Sequence, residues 1–277
     1  MLTRILTAVA ALLLFVPVLF LSHTIIFDIV IALIAFMGTF ELLKCVGIIK
    51  KYAISIPSFT VSVLIPLLIR HVSTTVIMLI VIAYLFYLLY AAVFARKHNS
   101  INDIALCFFA TVLVTISFTS IIITRNLDSY GEILYLMIFI GAWSTDTFAY
   151  FTGKLLGKHK FTSISPNKTI EGVIGGIIFC ALSFVLYGFI IARLNRFDAE
   201  PNYILLAFAG IATSVISILG DLSMSAIKRN YNIKDYGAIF PGHGGILDRF
   251  DSVMAVAPVI MIIGAILLKF SEYGLFT

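Results

Sequence analysis

"TTVIMLIVIAYLFYLLYAAVFA", residues 74–95, contains no charged side chain, no glycine and no proline. Roughly 17–25 apolar residues are enough to cross a hydrocarbon core as a helix. Runs of this kind recur on both sides of residues 74–95 and along the rest of the chain. Segmentation predicts about nine helices, near residues 5–22, 24–43, 53–69, 74–95, 103–124, 132–152, 172–194, 203–226 and 251–270. Short polar breaks separate most of them, such as "SHT" at 22–24 and "KKY" at 50–52; two breaks, at 153–171 and 227–250, are longer.

Composition agrees. The 277 residues are 61% hydrophobic and 12% charged, with a mean hydropathy of +1.10, whereas soluble domains carry about 25% charged residues. The sequence therefore predicts an all-α, polytopic integral membrane protein, a single membrane domain over residues 1–277. The apolar run from Ile5 to Leu21 is longer than a secretory h-region and no A-x-A site follows it, so it reads as a retained helix. Cys45, Cys107 and Cys180 are odd in number and widely spaced. They are read as small core residues, not as a disulfide framework or a zinc site.

The charges are sided. Arg4, Lys44, Lys50, Lys51, Arg96, Lys97 and the basic residues of both long breaks fall on the N-terminal side, and Arg70, Arg125, Arg193, Arg196 and Lys269 fall on the other. The positive-inside rule places the N-terminus and both long breaks in the cytosol and the C-terminus outside. The expected location is the inner (plasma) membrane. Asp146, Glu171, Asp221, Asp248 and Asp251 then collect at the cytosolic ends of four helices. Ionisable groups in a span are costly and mark functional sites, so the active site is expected at the cytosolic side.

The catalytic motifs are expected within residues 143–176 and 220–252. In "GDLSMSAIKRNYNIKDYGAIFPGHGGILDRFD", Gly220 to Asp251, continued helix puts Asp221, Ser225 and Lys228 on one face, and Asp248 and Asp251 on another. Carboxylates beside Lys228, Arg229, Lys234 and Arg249 suit a magnesium–phosphate site, because Mg²⁺ takes one or two carboxylates plus substrate phosphates. The "PGHGG" turn can bring main-chain amides close to an anion, although an ordinary tight turn would read the same. In "SPNKTIEG", Asn167 and Glu171 lie four apart beside Lys168. Capping is the plainer role for Asn167, and Gly172-x-x-x-Gly176 should allow close helix packing.

The order Ser225-x-Ile227-Lys228-Arg229, Lys234-Asp235-x-Gly237, then Phe240-Pro241-x-His243-Gly244-Gly245-Ile246-x-Asp248-Arg249-Phe250-Asp251 resembles the signature of phosphatidate cytidylyltransferases. The Asp146 region and "SPNKTIEG" resemble that family's second motif. The resemblance implies transfer of CMP from CTP to phosphatidic acid, with release of pyrophosphate, dependent on Mg²⁺ and open to a second cation. It implies metal ligation by Asp221 and Asp248, with Asp251, Asp146 and Glu171 as nearby or second-metal ligands. Catalytic roles fall to Asp221, Asp248, Asp251, Lys228, Arg229 and His243. Substrate contacts fall to Asn167, Lys168, Ser225, Lys234, Asp235, Gly244, Gly245 and Arg249. The partners implied are CTP, phosphatidic acid and the bilayer, with no nucleic acid, and a homodimer is left open. Two rival readings are a CTP-dependent polyprenol kinase and a transporter; the second leaves the charged cluster unexplained.

Overall fold

The computed structural model describes residues 13, 15–95, 99–127, 130–194, 200–240, 242, 244–267 and 275. Among them eight helices are delimited: α1 (Ile25–Cys45), α2 (Tyr52–Leu68), α3 (Thr74–Phe94), α4 (Ile101–Arg125), α5 (Gly131–Leu156), α6 (Ile170–Leu194), α7 (Tyr203–Asn230) and α8 (Leu247–Leu267). The helix expected at 5–22 lies mostly outside the described residues, although residues 15–20 are helical. Seven of the eight are long and apolar enough to cross a membrane, and α2 is a shorter apolar helix. Large apolar side chains such as Leu79, Phe86 and Phe94 are exposed, which suits a lipid-facing surface and not an aqueous one. The chain is a multi-pass all-α membrane protein. Three helices run four residues further at their polar ends than the sequence suggested: α5 continues to Leu156, α7 to Asn230, and α8 begins at Leu247, so it includes Asp248.

The chain forms two compact units. Unit 1 comprises residues 1–123 and 230–250; unit 2 comprises residues 124–229 and 251–277. In unit 1, α1 closes in a Schellman motif. Gly47 has φ +78°, its N–H bonds the Lys44 carbonyl at 3.2 Å, and the Ile48 N–H reaches back to Leu43 O at 2.9 Å. Glycine takes this left-handed position without a Cβ penalty, and Ile48 and Leu43, both fully buried, supply the accompanying apolar contact. Phe36 on α1 meets Phe59 on α2 edge to face at 5.2 Å. A buried Tyr84 hydroxyl links three helices, bonding Ser58 of α2 at 2.7 Å and Thr111 of α4 at 3.0 Å. α4 starts in a reciprocal cap: Asp103 N–H donates to Ser100 Oγ at 3.1 Å and Ser100 N–H donates to Asp103 Oδ2 at 2.7 Å, satisfying two end donors at once. Lys51 pairs with the same Asp103. At the other end of α1, Asp28 is 1% exposed and pairs with Arg70 Nε at 2.8 Å.

Unit 2 is built on the close approach of α5 and α6. A Cβ on Gly176 would meet Ala149 Cβ and Thr145 O at 3.1 Å, and one on Gly175 would collide with Thr152. The expected Gly172–Gly176 packing face is thus present, against Ala149 and Gly153 of α5. Between these helices the chain folds into a short hairpin, with Phe161 N–H on Lys168 O and Ile170 N–H on His159 O, both at 2.9 Å. Arg125 pairs with Glu132 at 2.6 Å. Cys107 and Cys180 are buried free thiols and Cys45 is half-buried, as expected for packing residues.

Candidate active site

Three helices of unit 2 bring carboxylates together. Asp221 sits in the last third of α7, Asp251 in the first turns of α8, and Asp146 in the second half of α5. Their meeting depends on Gly220. A Cβ there would collide with Ala255 Cβ and stand 3.2 Å from Asp251 O, so the missing side chain lets α7 and α8 close next to both aspartates. The charges acting most strongly on Asp251 are those of Asp221 and Asp146, opposed by Lys228. Like charges this close call for compensation. Lys168 Nζ supplies it at 2.5 Å from Asp221 Oδ2, delivered by the hairpin that precedes α6.

Hydroxyls and amides complete the group. Ser225 Oγ donates to Asp221 Oδ1 at 3.3 Å, Ser252 Oγ donates to Asp146 Oδ2 at 2.9 Å, and Ser252 N–H donates to Asp251 Oδ1 at 2.9 Å. Asp146 is exposed and Asp221 and Asp251 are half-buried, so all three can be reached. The α7 face is as expected: Ser225 and Lys228 are buried at 8% exposure each, while Arg229, one residue on, is exposed. Glu171 turns elsewhere, accepting from His159 Nδ1 at 2.7 Å. Asn167 is exposed, and the cap of α6 is Thr169, whose Oγ1 accepts from Gly172 N–H at 3.1 Å. Sequence reading missed Ser252 and His159; nothing in their spacing distinguishes them from ordinary polar residues.

In unit 1 the glycine-rich turn is held by two carboxylates. Asp248 Oδ2 accepts from Tyr236 N–H at 2.8 Å and from Gly245 N–H at 2.9 Å. Glu41, 2% exposed, accepts from Ile246 N–H at 3.0 Å through Oε1 and from Leu247 N–H at 2.9 Å through Oε2. Of the glycine-rich turn's amides, that of Gly245 is therefore taken by the protein's own Asp248. Gly242 and Gly244 have φ of +77° and +82°, and Phe240 N–H closes the turn on Gly244 O at 3.0 Å. His243, expected to be catalytic, lies outside the described residues, as does Pro241. Lys234, Asp235 and Arg249 are exposed.

Among the described residues no group of three or more His, Cys, Asp or Glu is arranged as a ready metal cage. A donor set of carboxylate oxygens, completed by a ligand's phosphates, is what Mg²⁺ favours over an all-protein cage.

The profile of the family described as "Cytidylyltransferase family" matches residues 2–267. The chain belongs to this family. It is a nucleotidyltransferase that uses CTP. Among its curated relatives, a phosphatidate cytidylyltransferase of Staphylococcus haemolyticus is 39% identical, covering 94% of this chain and 97% of that protein. One from Staphylococcus saprophyticus is 40% identical over the same shares, and one from Staphylococcus epidermidis is 38% identical. For a cytidylyltransferase the unit 2 group is suitably built. A triphosphate brings several negative charges, and Lys168 and Lys228 stand among the carboxylates that would share a cation with it.

Proposed function

We propose that the chain is a phosphatidate cytidylyltransferase: it joins CTP to phosphatidate, giving CDP-diacylglycerol and pyrophosphate. The observation that carries this reading is the cluster of Asp146, Asp221 and Asp251 with Lys168 and Lys228, carried on α5, α7, α8 and the hairpin before α6 in a chain of membrane-crossing helices. The phosphatidate cytidylyltransferases that the chain matches over nearly their whole length support the choice of lipid. CTP is water-soluble and phosphatidate is a bilayer lipid, so the two meet only at an interface. The sided charge supports a cytosolic site in the inner membrane, with the N-terminus in the cytosol.

A phosphate monoester has a second pKa near 6 and is largely dianionic at pH 7, so the attacking oxygen needs no strong general base. It forms a bond to the α-phosphorus of CTP. The bond from that phosphorus to the oxygen bridging to the β-phosphorus breaks, and pyrophosphate leaves with the electron pair. Bringing two anions together is the main obstacle, and positioning with electrostatic neutralisation dominates such transfers. Lys168, Lys228 and Arg229 offset phosphate charge. The oxygen donors fit Mg²⁺, and Asp221 and Asp251, with Asp146, would hold it. When bound it supplies Lewis-acid stabilisation of phosphoryl charge. Asn167, Ser225, Lys234, Asp235, Gly244, Gly245 and Arg249 keep the substrate-facing roles that the family resemblance implies, Asp248 its metal-ligating and catalytic role, and His243 its catalytic one.

The test uses membranes carrying the protein, phosphatidate, and CTP labelled at either the α or the γ phosphorus. Label should enter lipid from the α position. Entry only from γ would make the chain a kinase, and no entry from either would remove the transferase reading.

A further inference from the structure

Helix α8 begins where its own sequence offers no cap. The first-turn amides of a helix lack intrahelical acceptors, and Ser, Thr, Asp or Asn just before the helix usually serves them. Here Gly244, Gly245 and Ile246 precede Leu247, and none carries an acceptor. The site is also dry: Ile246 is 9% exposed and Leu247 is fully buried. Unpaired amides at such a place are costly. The acceptor comes from the other end of the sequence, because both Glu41 oxygens are used, one on Ile246 N–H and one on Leu247 N–H. A carboxylate there also meets the positive end of the helix dipole.

The same side chain explains two glycines. Neither Gly237 nor Gly245 has a positive φ, so backbone freedom does not require glycine at either. A Cβ at Gly237 would collide with Glu41 Oε1, and one at Gly245 would collide with the Glu41 carboxyl group. Both glycines make room for Glu41. Gly244 makes room in the same way for Asp248, whose Oδ2 would lie 2.6 Å from a Cβ.

We propose that Glu41, on α1, is a positioning residue of the transferase: it caps α8 from a distance and sets Gly237 against the segment 244–246 that leads into Asp248. It touches no substrate. The inference rests on the proposed function for its kinetic readout, and on geometry alone for its structural one.

The experiment compares wild type with Glu41→Gln, Glu41→Ala, Gly245→Ala and the Glu41→Ala/Gly245→Ala double in membranes or nanodiscs. Gln keeps the size but replaces one acceptor oxygen with a donor. In Glu41→Gln, amide hydrogens of residues 236–248 should exchange faster while those of α2 and α3 do not change. Turnover should fall on the order of a hundred-fold, with KM for CTP within about twofold. Gly245→Ala should disturb the same amides, and the double should be no worse than the worse of the single changes at these positions, because one contact is lost only once. Wild-type exchange and turnover in Glu41→Gln would overturn the proposal, as would faster exchange spread over all helices. If Glu41→Gln does not insert, a Gly245→Ala protein indistinguishable from wild type would overturn it. Absence of cytidylyl transfer in the wild type would sink the function instead, leaving the exchange result to decide on Glu41.

Discussion

At the residue scale, Asp251 feels the charges of Asp221 and Asp146, with that of Asp221 the stronger. Asn is nearly the size of Asp and keeps an oxygen, but it lacks the charge that holds a cation against phosphate. Asp221→Asn and Asp251→Asn should each lower turnover on the order of a hundred-fold or more while the protein stays folded and inserted. Groups that act as a unit are non-additive, so the double should be about as inactive as the worse single, with excess Mg²⁺ or Mn²⁺ restoring part of the loss in the singles. Losses that multiply, or indifference to added metal, would show that the two do not share an ion. These aspartates were legible in the sequence because a carboxylate inside an apolar run has few reasons to be there. Glu41 was not. It stands beside Leu42, Leu43 and Lys44 near a helix end, where an acidic residue reads as an ordinary interfacial one, and its partners are 205 and 206 residues away.

At the element scale, the existence and order of the helices were legible from apolar runs, and their polar ends were not. α8 starts four residues earlier than its apolar run because remote capping by Glu41 extends helix into charged sequence. α7 continues to Asn230 with Lys228 and Arg229 in its last turn, where cations favour the negative end of the dipole. Helix contacts that hinge on one glycine were only half legible: the Gly172–Gly176 spacing was visible, but Gly220 gave no pattern. Gly220→Ala should push α7 from α8 at Ala255, costing about 1–3 kcal/mol as overpacking does and lowering turnover more than it lowers the amount of protein. Ala255→Gly in the same chain should restore most of the activity. Assay of the single and double side by side checks this, and a double no better than Gly220→Ala would place the damage elsewhere.

At the scale of the whole molecule, five ion pairs among the described residues each join residues that the sequence's charge pattern assigns to the same side: Lys51 with Asp103, Lys168 with Asp221 and His159 with Glu171 to the expected cytosolic side, and Asp28 with Arg70 and Arg125 with Glu132 to the other. Cysteine placed at Ser163 or Asn232, both exposed, should react with an impermeant thiol reagent only from the cytosolic face; reaction from outside would invert the arrangement. The Asp28–Arg70 pair also bears on how the protein is made. Asp28 leaves the ribosome in the first turn of α1, well before its counter-ion at the end of α2, and an unmatched acid does not rest easily in lipid. The two helices therefore have reason to enter the bilayer as one hairpin, with α1 held at the insertion machinery until Arg70 emerges. Arg70→Ala removes the partner of a buried charge, a change that costs about 3–5 kcal/mol. Its expected signature is loss of protein from the membrane during synthesis, with normal turnover per surviving molecule, so a carboxylate remote from the chemistry would act as a checkpoint of biogenesis.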